Sequence, residues 1–78
     1  MKKSKFLNLL EELLEKDQGT LNQGDSLKTI SSWDSLAAIG FIALGDQHFG
    51  RNVAASSVAK CQTINDLILL LGEDIFES

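Results

Sequence analysis

Residues 33–50 read WDSLAAIGFIALGDQHFG, and this stretch decides the fold that the sequence predicts. Its apolar residues continue over several turns without a proline, which predicts a long helix from Asp34 or Ser35 to about His48 or Phe49. Asp34 is a favourable N-cap, because its carboxylate accepts hydrogen bonds from the free backbone N–H groups at a helix start. We therefore expect a serine hydroxyl at the exposed N-terminal end of the principal helix.

Three further helices are predicted around this one, and no alternating pattern indicates a strand. The first covers residues 3–16, and a short third helix is expected over residues 54–60. The fourth begins after Thr63, which fits a capping box with Asp66, and Gly72 ends it. The predicted fold class is all-α: a small four-helix bundle of three main helices and one short helix.

The first predicted helix is amphipathic, and a long loop separates it from the second. Its apolar stripe consists of Phe6, Leu9, Leu10, Leu13 and Leu14. Its charged face, expected to be solvated, consists of Glu11, Glu12, Glu15 and Lys16. Gly19 is expected to stop the helix, and residues 17–33 are rich in turn formers. The loop is expected to pack on the bundle through Leu21, Leu27, Ile30 and Trp33, and Trp33 is expected to be substantially buried.

Length, net charge and cysteine count limit the classes of protein to which the chain can belong. The chain has 78 residues, of which 44% are hydrophobic, so we expect a single domain over residues 1–78 and a monomer. A net charge of -4 disfavours nucleic acid as a partner. Cys61 is the only cysteine, so neither an internal disulfide nor a zinc cluster is expected, and burial in the core suits it better than reactivity. With neither a signal peptide nor a membrane span expected, we predict a cytoplasmic protein.

The second helix carries two apolar stripes, which is unusual for a small bundle. One stripe suits the core and consists of Phe41, Ile42, Gly45 and Phe49. The other is rotated away from it and consists of Leu36, Ile39, Gly40 and Ala43. Either Leu36, Ile39 and Ala43 bind a partner protein, or the long loop folds back and covers them. Gly40 and Gly45 either allow a close approach of a neighbouring helix or partner or are simply tolerated.

The order of loop, Trp33-Asp34-Ser35-Leu36, apolar helix, short helix and capped final helix resembles the acyl carrier protein family. The Phe49-Gly50 pair that closes the second helix strengthens the resemblance, which covers nearly the whole chain. It implies that Ser35, between Asp34 and Leu36, carries a 4'-phosphopantetheine arm transferred from coenzyme A. Acyl groups would be held on that arm as thioesters. The implied partners are a phosphopantetheinyl transferase and the enzymes that load and process the acyl group.

A second Asp-Ser-Leu tripeptide occurs at residues 25–27, so the tripeptide alone does not identify the modified serine. Ser26 lies in the middle of the loop, with no comparable helix behind it. Ser35 begins a long helix, whose N-terminal partial positive charge favours a phosphodiester. We therefore assign the attachment to Ser35 and expect Ser26 to anchor the loop through Leu27.

The sequence departs from carriers of fatty acid synthesis, which usually bear several acids along the second helix. Here Asp46 is the only acid of that helix after Asp34. We therefore expect apolar partner recognition and a specialised biosynthetic pathway. No triad or metal site is expected around Cys61 or His48, so we predict no enzymatic activity. The alternatives are an aminoacyl or peptidyl carrier, and a helical protein-interaction module without a prosthetic group.

Overall fold

The computed structural model describes residues 2–76, which form the small all-α bundle that the sequence predicts. The helices are α1 (Lys3–Leu13), α2 (Ser35–Phe49), α3 (Ala55–Ala59) and α4 (Ile64–Leu71). Two 3₁₀ turns, Leu27–Thr29 and Glu73–Ile75, lie in the α1–α2 connection and after α4. Residues 2–76 contain no β-strand, and Ser26 and Thr63 form an isolated antiparallel bridge.

The core is formed by one face of each helix together with the α1–α2 connection. Phe6 and Phe41 are fully buried, and their rings meet edge to face with centroids 6.2 Å apart. Large apolar side chains buried in this way contribute about 1.5–3 kcal/mol each. Of the loop residues expected to be buried, Leu21, Leu27 and Ile30 are part of this core. The other buried members are Leu10, Leu14, Ala37, Val58, Ile64, Leu67, Ile68, Leu71 and Phe76.

Helix α1 ends at Leu13, three residues before the predicted end at Lys16. The N–H of Lys16 donates to the carbonyl of Glu11 at 2.8 Å, and that of Glu15 donates to Glu12 at 3.2 Å. These two bonds form a Schellman motif, in which Glu15 takes the left-handed position with φ 58. The prediction that Gly19 stops the helix is wrong, because this motif has already turned the chain.

The predicted capping box at the start of α4 is confirmed. The Thr63 hydroxyl accepts from the N–H of Asp66, and the Asp66 carboxylate accepts from the N–H of Thr63. This end of α4 also holds the middle of the α1–α2 connection. The N–H of Leu27 donates to the carbonyl of Gln62 at 2.8 Å, and that of Ile64 donates to Asp25 at 3.1 Å. Backbone hydrogen bonds therefore fix the middle of the long connection to the start of α4.

Two glycines let neighbouring elements approach α2 closely. A Cβ at Gly40 would lie 2.5 Å from Leu13 Cδ1 of α1, and a Cβ at Gly45 would lie 2.9 Å from Leu71 Cδ2 of α4. Both distances are shorter than van der Waals contact. The close approach of neighbouring helices, one of the two interpretations left open by the sequence, therefore explains both glycines.

Candidate functional site

The site is built around the first turn of α2. Asp34 is the N-cap residue in an extended conformation, and its Oδ1 accepts a hydrogen bond from the N–H of Ala37 at 2.9 Å. The carbonyl of Asp34 accepts from the N–H of Ala38 at 2.9 Å. Ser35 is the first helical residue, and its side chain is exposed. The remaining N–H groups of this turn have no acceptor within the helix, so the serine stands where an anionic substituent is favoured.

The two Asp-Ser-Leu tripeptides have different environments. Ser26 is half-buried and caps the turn Leu27–Thr29, with its Oγ accepting from the N–H of Lys28 at 3.3 Å. Leu27 is buried in the core, whereas Leu36 is 75% exposed. The first tripeptide therefore anchors the loop, as predicted, and the second presents its serine to solvent.

Three of the four residues of the second stripe of α2 are exposed, whereas Gly40 is half-buried against Leu13 of α1. Leu36 and Ile39 are 75% and 61% exposed, and Ala43 is exposed as well. The α1–α2 connection does not cover these three residues, so that interpretation of the two-stripe helix is wrong. We call Leu36, Ile39 and Ala43 the exposed α2 face. Between Asp34 and Asp46 the helix carries no charged side chain.

An apolar groove of about 500 Å³ begins at Ser35 and runs between α2 and α3, and we call it the α2–α3 groove. Asp34 is the only charged residue in its lining. The rest of the lining consists of Trp33, Ala38, Ile39, Ile42, Ala55, Val58 and Ala59. The serine thus lies at the edge of a cleft with a largely apolar lining.

Trp33 is half-buried rather than substantially buried, which corrects the sequence prediction. Its backbone N–H donates to the carbonyl of Ile30 at 3.0 Å, and its indole ring meets the Phe41 ring edge to face at a centroid distance of 6.4 Å. Trp33 lines the α2–α3 groove and also a second cavity beside it, so part of its surface stays open.

Glu11 was expected on the solvated face of α1, but its side chain is buried, with 2% exposed. Its Oε2 accepts from the N–H groups of Gly19 and Leu21, both at 2.9 Å, while Oε1 is buried without a hydrogen-bond partner. A carboxylate of α1 thus holds the start of the α1–α2 connection. A sequence signal existed: Glu11 lies three residues before the buried Leu14 and four after the half-buried Leu7, hence on the core side of the helix.

Neither Cys61 nor His48 lines the α2–α3 groove that begins at Ser35. Burial, and then the nearby Asp66 carboxylate, raise the pKa of the Cys61 thiol, so the thiol form is favoured at neutral pH. The Cys61 Sγ donates to the carbonyl of Ser57 at 3.6 Å. His48 is exposed, and its ring packs beside Phe49. Across residues 2–76 there is no group of three or more His, Cys, Asp or Glu side chains placed to hold a metal ion.

No family model matches this chain, and comparisons with curated proteins and with solved structures find no match either. The helices of the described chain, residues 2–76, include none with the length and apolar character needed to cross a membrane.

Proposed function

We propose that this chain is a carrier protein that holds acyl groups on a 4'-phosphopantetheine arm attached to Ser35. The observation that carries the proposal is the position of Ser35: exposed, directly after the Asp34 N-cap, and at the edge of the α2–α3 groove. In the attachment, Ser35 Oγ loses its proton and forms a bond to the phosphorus of the pantetheine phosphate. The bond from that phosphorus to the bridging oxygen of coenzyme A breaks, so that adenosine 3',5'-bisphosphate leaves, and a base of the transferase takes the serine proton.

The groove favours an acyl cargo over an aminoacyl cargo. Its walls are apolar side chains of α2, α3 and Trp33, and Asp34 is the only charged residue in its lining. An apolar chain gains about 0.8 kcal/mol for each methylene removed from water. A charged amino group entering the same space would lose its hydration without gaining a partner beyond Asp34.

The exposed α2 face supports docking to partner enzymes through apolar contacts. The partners in this proposal are a phosphopantetheinyl transferase and the enzymes that load and process the acyl group. The scarcity of acids on α2 favours a specialised biosynthetic pathway over general fatty acid synthesis. We place the carrier in the cytoplasm, because coenzyme A supplies the arm inside the cell. We also expect it to act as a monomer. The same exposure of Leu36 and Ile39 also favours the second candidate, an interaction module without a prosthetic group.

Intact mass spectrometry tests the attachment. The chain is incubated with coenzyme A, magnesium and a broad-specificity phosphopantetheinyl transferase. The unmodified sequence and the Ser26→Ala variant are each expected to gain one phosphopantetheine, whereas Ser35→Ala gains none. Modification that persists in Ser35→Ala and disappears in Ser26→Ala would move the site to the first tripeptide. No modification of any variant would favour the interaction module.

A further inference from the structure

A second open cavity, of about 380 Å³, adjoins the α2–α3 groove. Its lining includes Lys28, Ile30 and Cys61 from the connections before α2 and after α3. Trp33 and Ala59 line both this cavity and the groove. These two residues therefore form the partition between the two spaces.

The indole makes up most of this partition, because Ala59 contributes only a methyl group. The position of Trp33 is set by its backbone hydrogen bond to Ile30, which is buried, and by the edge contact with Phe41. Asp34, the next residue, is held as the N-cap of α2. The backbone of Trp33 is thus held on both sides along the chain, and the indole packs edge to face against Phe41 of the core.

We propose that Trp33 is a specificity-determining residue that limits the length of the acyl chain held in the α2–α3 groove. This inference rests on the carrier function proposed above. The cargo class is an uncharged, apolar acyl chain that begins near Ser35 and ends at the indole. A longer chain meets the partition and leaves its additional methylenes in water, because the indole separates it from the second cavity.

Chain length should therefore affect sequestration in two regimes. Below the limit, each added methylene raises the equilibrium constant for moving the chain from water into the groove. The increase is about fourfold, the equivalent of about 0.8 kcal/mol. Above the limit, added methylenes give no further increase. Replacing the indole with a methyl group joins the two spaces and moves the limit to longer chains.

The first test uses the unaltered protein and the fact that Trp33 is its only tryptophan. A broad-specificity transferase loads Ser35 from acyl-coenzyme A thioesters of increasing length, each with a bromine on the terminal carbon. Bromine quenches tryptophan emission on contact, so quenching is expected to rise to a maximum at one chain length and then decline. Equal quenching at every length, in protein shown by mass to be loaded, would overturn the inference while leaving the carrier function intact. Failure to load would contradict the carrier function and this inference with it.

The second test compares variants with unbrominated chains. The thermal midpoint of each acylated protein is measured relative to the same variant carrying phosphopantetheine alone. The stabilisation is expected to stop increasing at a longer chain in Trp33→Ala than in the unaltered protein, with Trp33→Phe between them. Leu69→Ala is the matched control, because Leu69 is an exposed apolar residue of α4 outside both linings. An unchanged limit in both Trp33 variants would overturn the inference, and the bromine series decides the question if Trp33→Ala does not fold.

Discussion

The two ends of the α1–α2 connection are built in opposite ways. At its start, the buried Glu11 carboxylate accepts hydrogen bonds from two backbone N–H groups of the connection. At its end, Asp34 caps α2 and the following Ser35 and Leu36 project into solvent. The difference shows how a small bundle can hold one end of a connection by buried hydrogen bonds and leave the side chains at the other end, a serine hydroxyl and an apolar leucine, exposed to solvent.

The largest effect on stability is expected at the buried end. Glu11→Ala removes the acceptor of the Gly19 and Leu21 N–H groups, and hydrogen bonds to a charged group contribute about 1.5–3 kcal/mol each. We expect the free energy of unfolding to fall by about 3 kcal/mol, measured by urea denaturation. Glu12→Ala is the matched control, because Glu12 is the exposed neighbour of Glu11. This variant should change the free energy of unfolding by less than about 0.5 kcal/mol. Equal losses in the two variants would contradict the role of the Glu11 hydrogen bonds in holding the start of the connection.

At the exposed end, the expected effect is on recognition rather than on stability. Ile39→Asp should slow modification of Ser35 by a transferase by about tenfold or more, because a large apolar side chain contributes about 1.5–3 kcal/mol when it is buried in an interface. Its free energy of unfolding should change by less than about 0.5 kcal/mol. Leu69→Asp, which alters an exposed leucine of α4, should leave the rate unchanged.

Salt separates apolar docking from electrostatic docking in the same assay. Apolar contacts are not screened, so raising the salt concentration should change the modification rate only modestly. A rate that survives Ile39→Asp but collapses with added salt would contradict apolar docking. Charged residues outside the exposed α2 face, such as Asp46, would then be the better candidates for the contact.

The glycines of α2 offer a smaller and more local comparison. In Gly45→Ala the new methyl group meets Leu71, which is 1% exposed and has no space to move, so overpacking should outweigh the gain in helix propensity by about 1 kcal/mol. In Gly40→Ala the new methyl group meets the end of Leu13, which is half-buried and free to turn toward solvent. We expect Gly40→Ala to change the thermal midpoint little. A larger loss in Gly40→Ala would show that Leu13 is held as firmly as Leu71.

The smallest effect is expected at the α4 capping box, through its pH dependence. Backbone hydrogen bonds from Gln62 and Thr63 lower the pKa of the Asp66 carboxyl below its ordinary value. Its contribution to stability is therefore present above the ordinary aspartate pKa of about 3.9 and is lost as pH falls through the lowered value. Asp66→Asn should reduce stability at neutral pH and make the loss on acidification shallower. Parallel pH curves for the two proteins, followed by circular dichroism, would contradict this role.

Local signals in the sequence predicted the elements well where side-chain chemistry acts within one turn. The Asp34 cap, the length of α2 and the Thr63–Asp66 capping box are confirmed, because each depends on residues three or four positions apart. The predicted end of α1 was wrong, because Glu15 adopts the left-handed conformation there. Glutamate rarely takes this conformation, so the residue type did not predict the turn. The attachment of a prosthetic group to Ser35 remains a prediction that the mass measurement decides.

The sequence by itself determined that four helices form and where each begins to within a residue or two, which of the two Asp-Ser-Leu tripeptides begins the long one, and that α2 has more apolar surface than a core needs. Only the tertiary structure decided which side of α2 stays exposed, since that depends on where the α1–α2 connection packs. It also decided which groups bond to Glu11, because Gly19 and Leu21 lie eight and ten residues further along the chain. The half-buried state of Trp33 follows from a groove that exists only after α3 has packed against α2. Contacts within one turn follow from local spacing, whereas burial depends on distant segments that meet only in the folded chain.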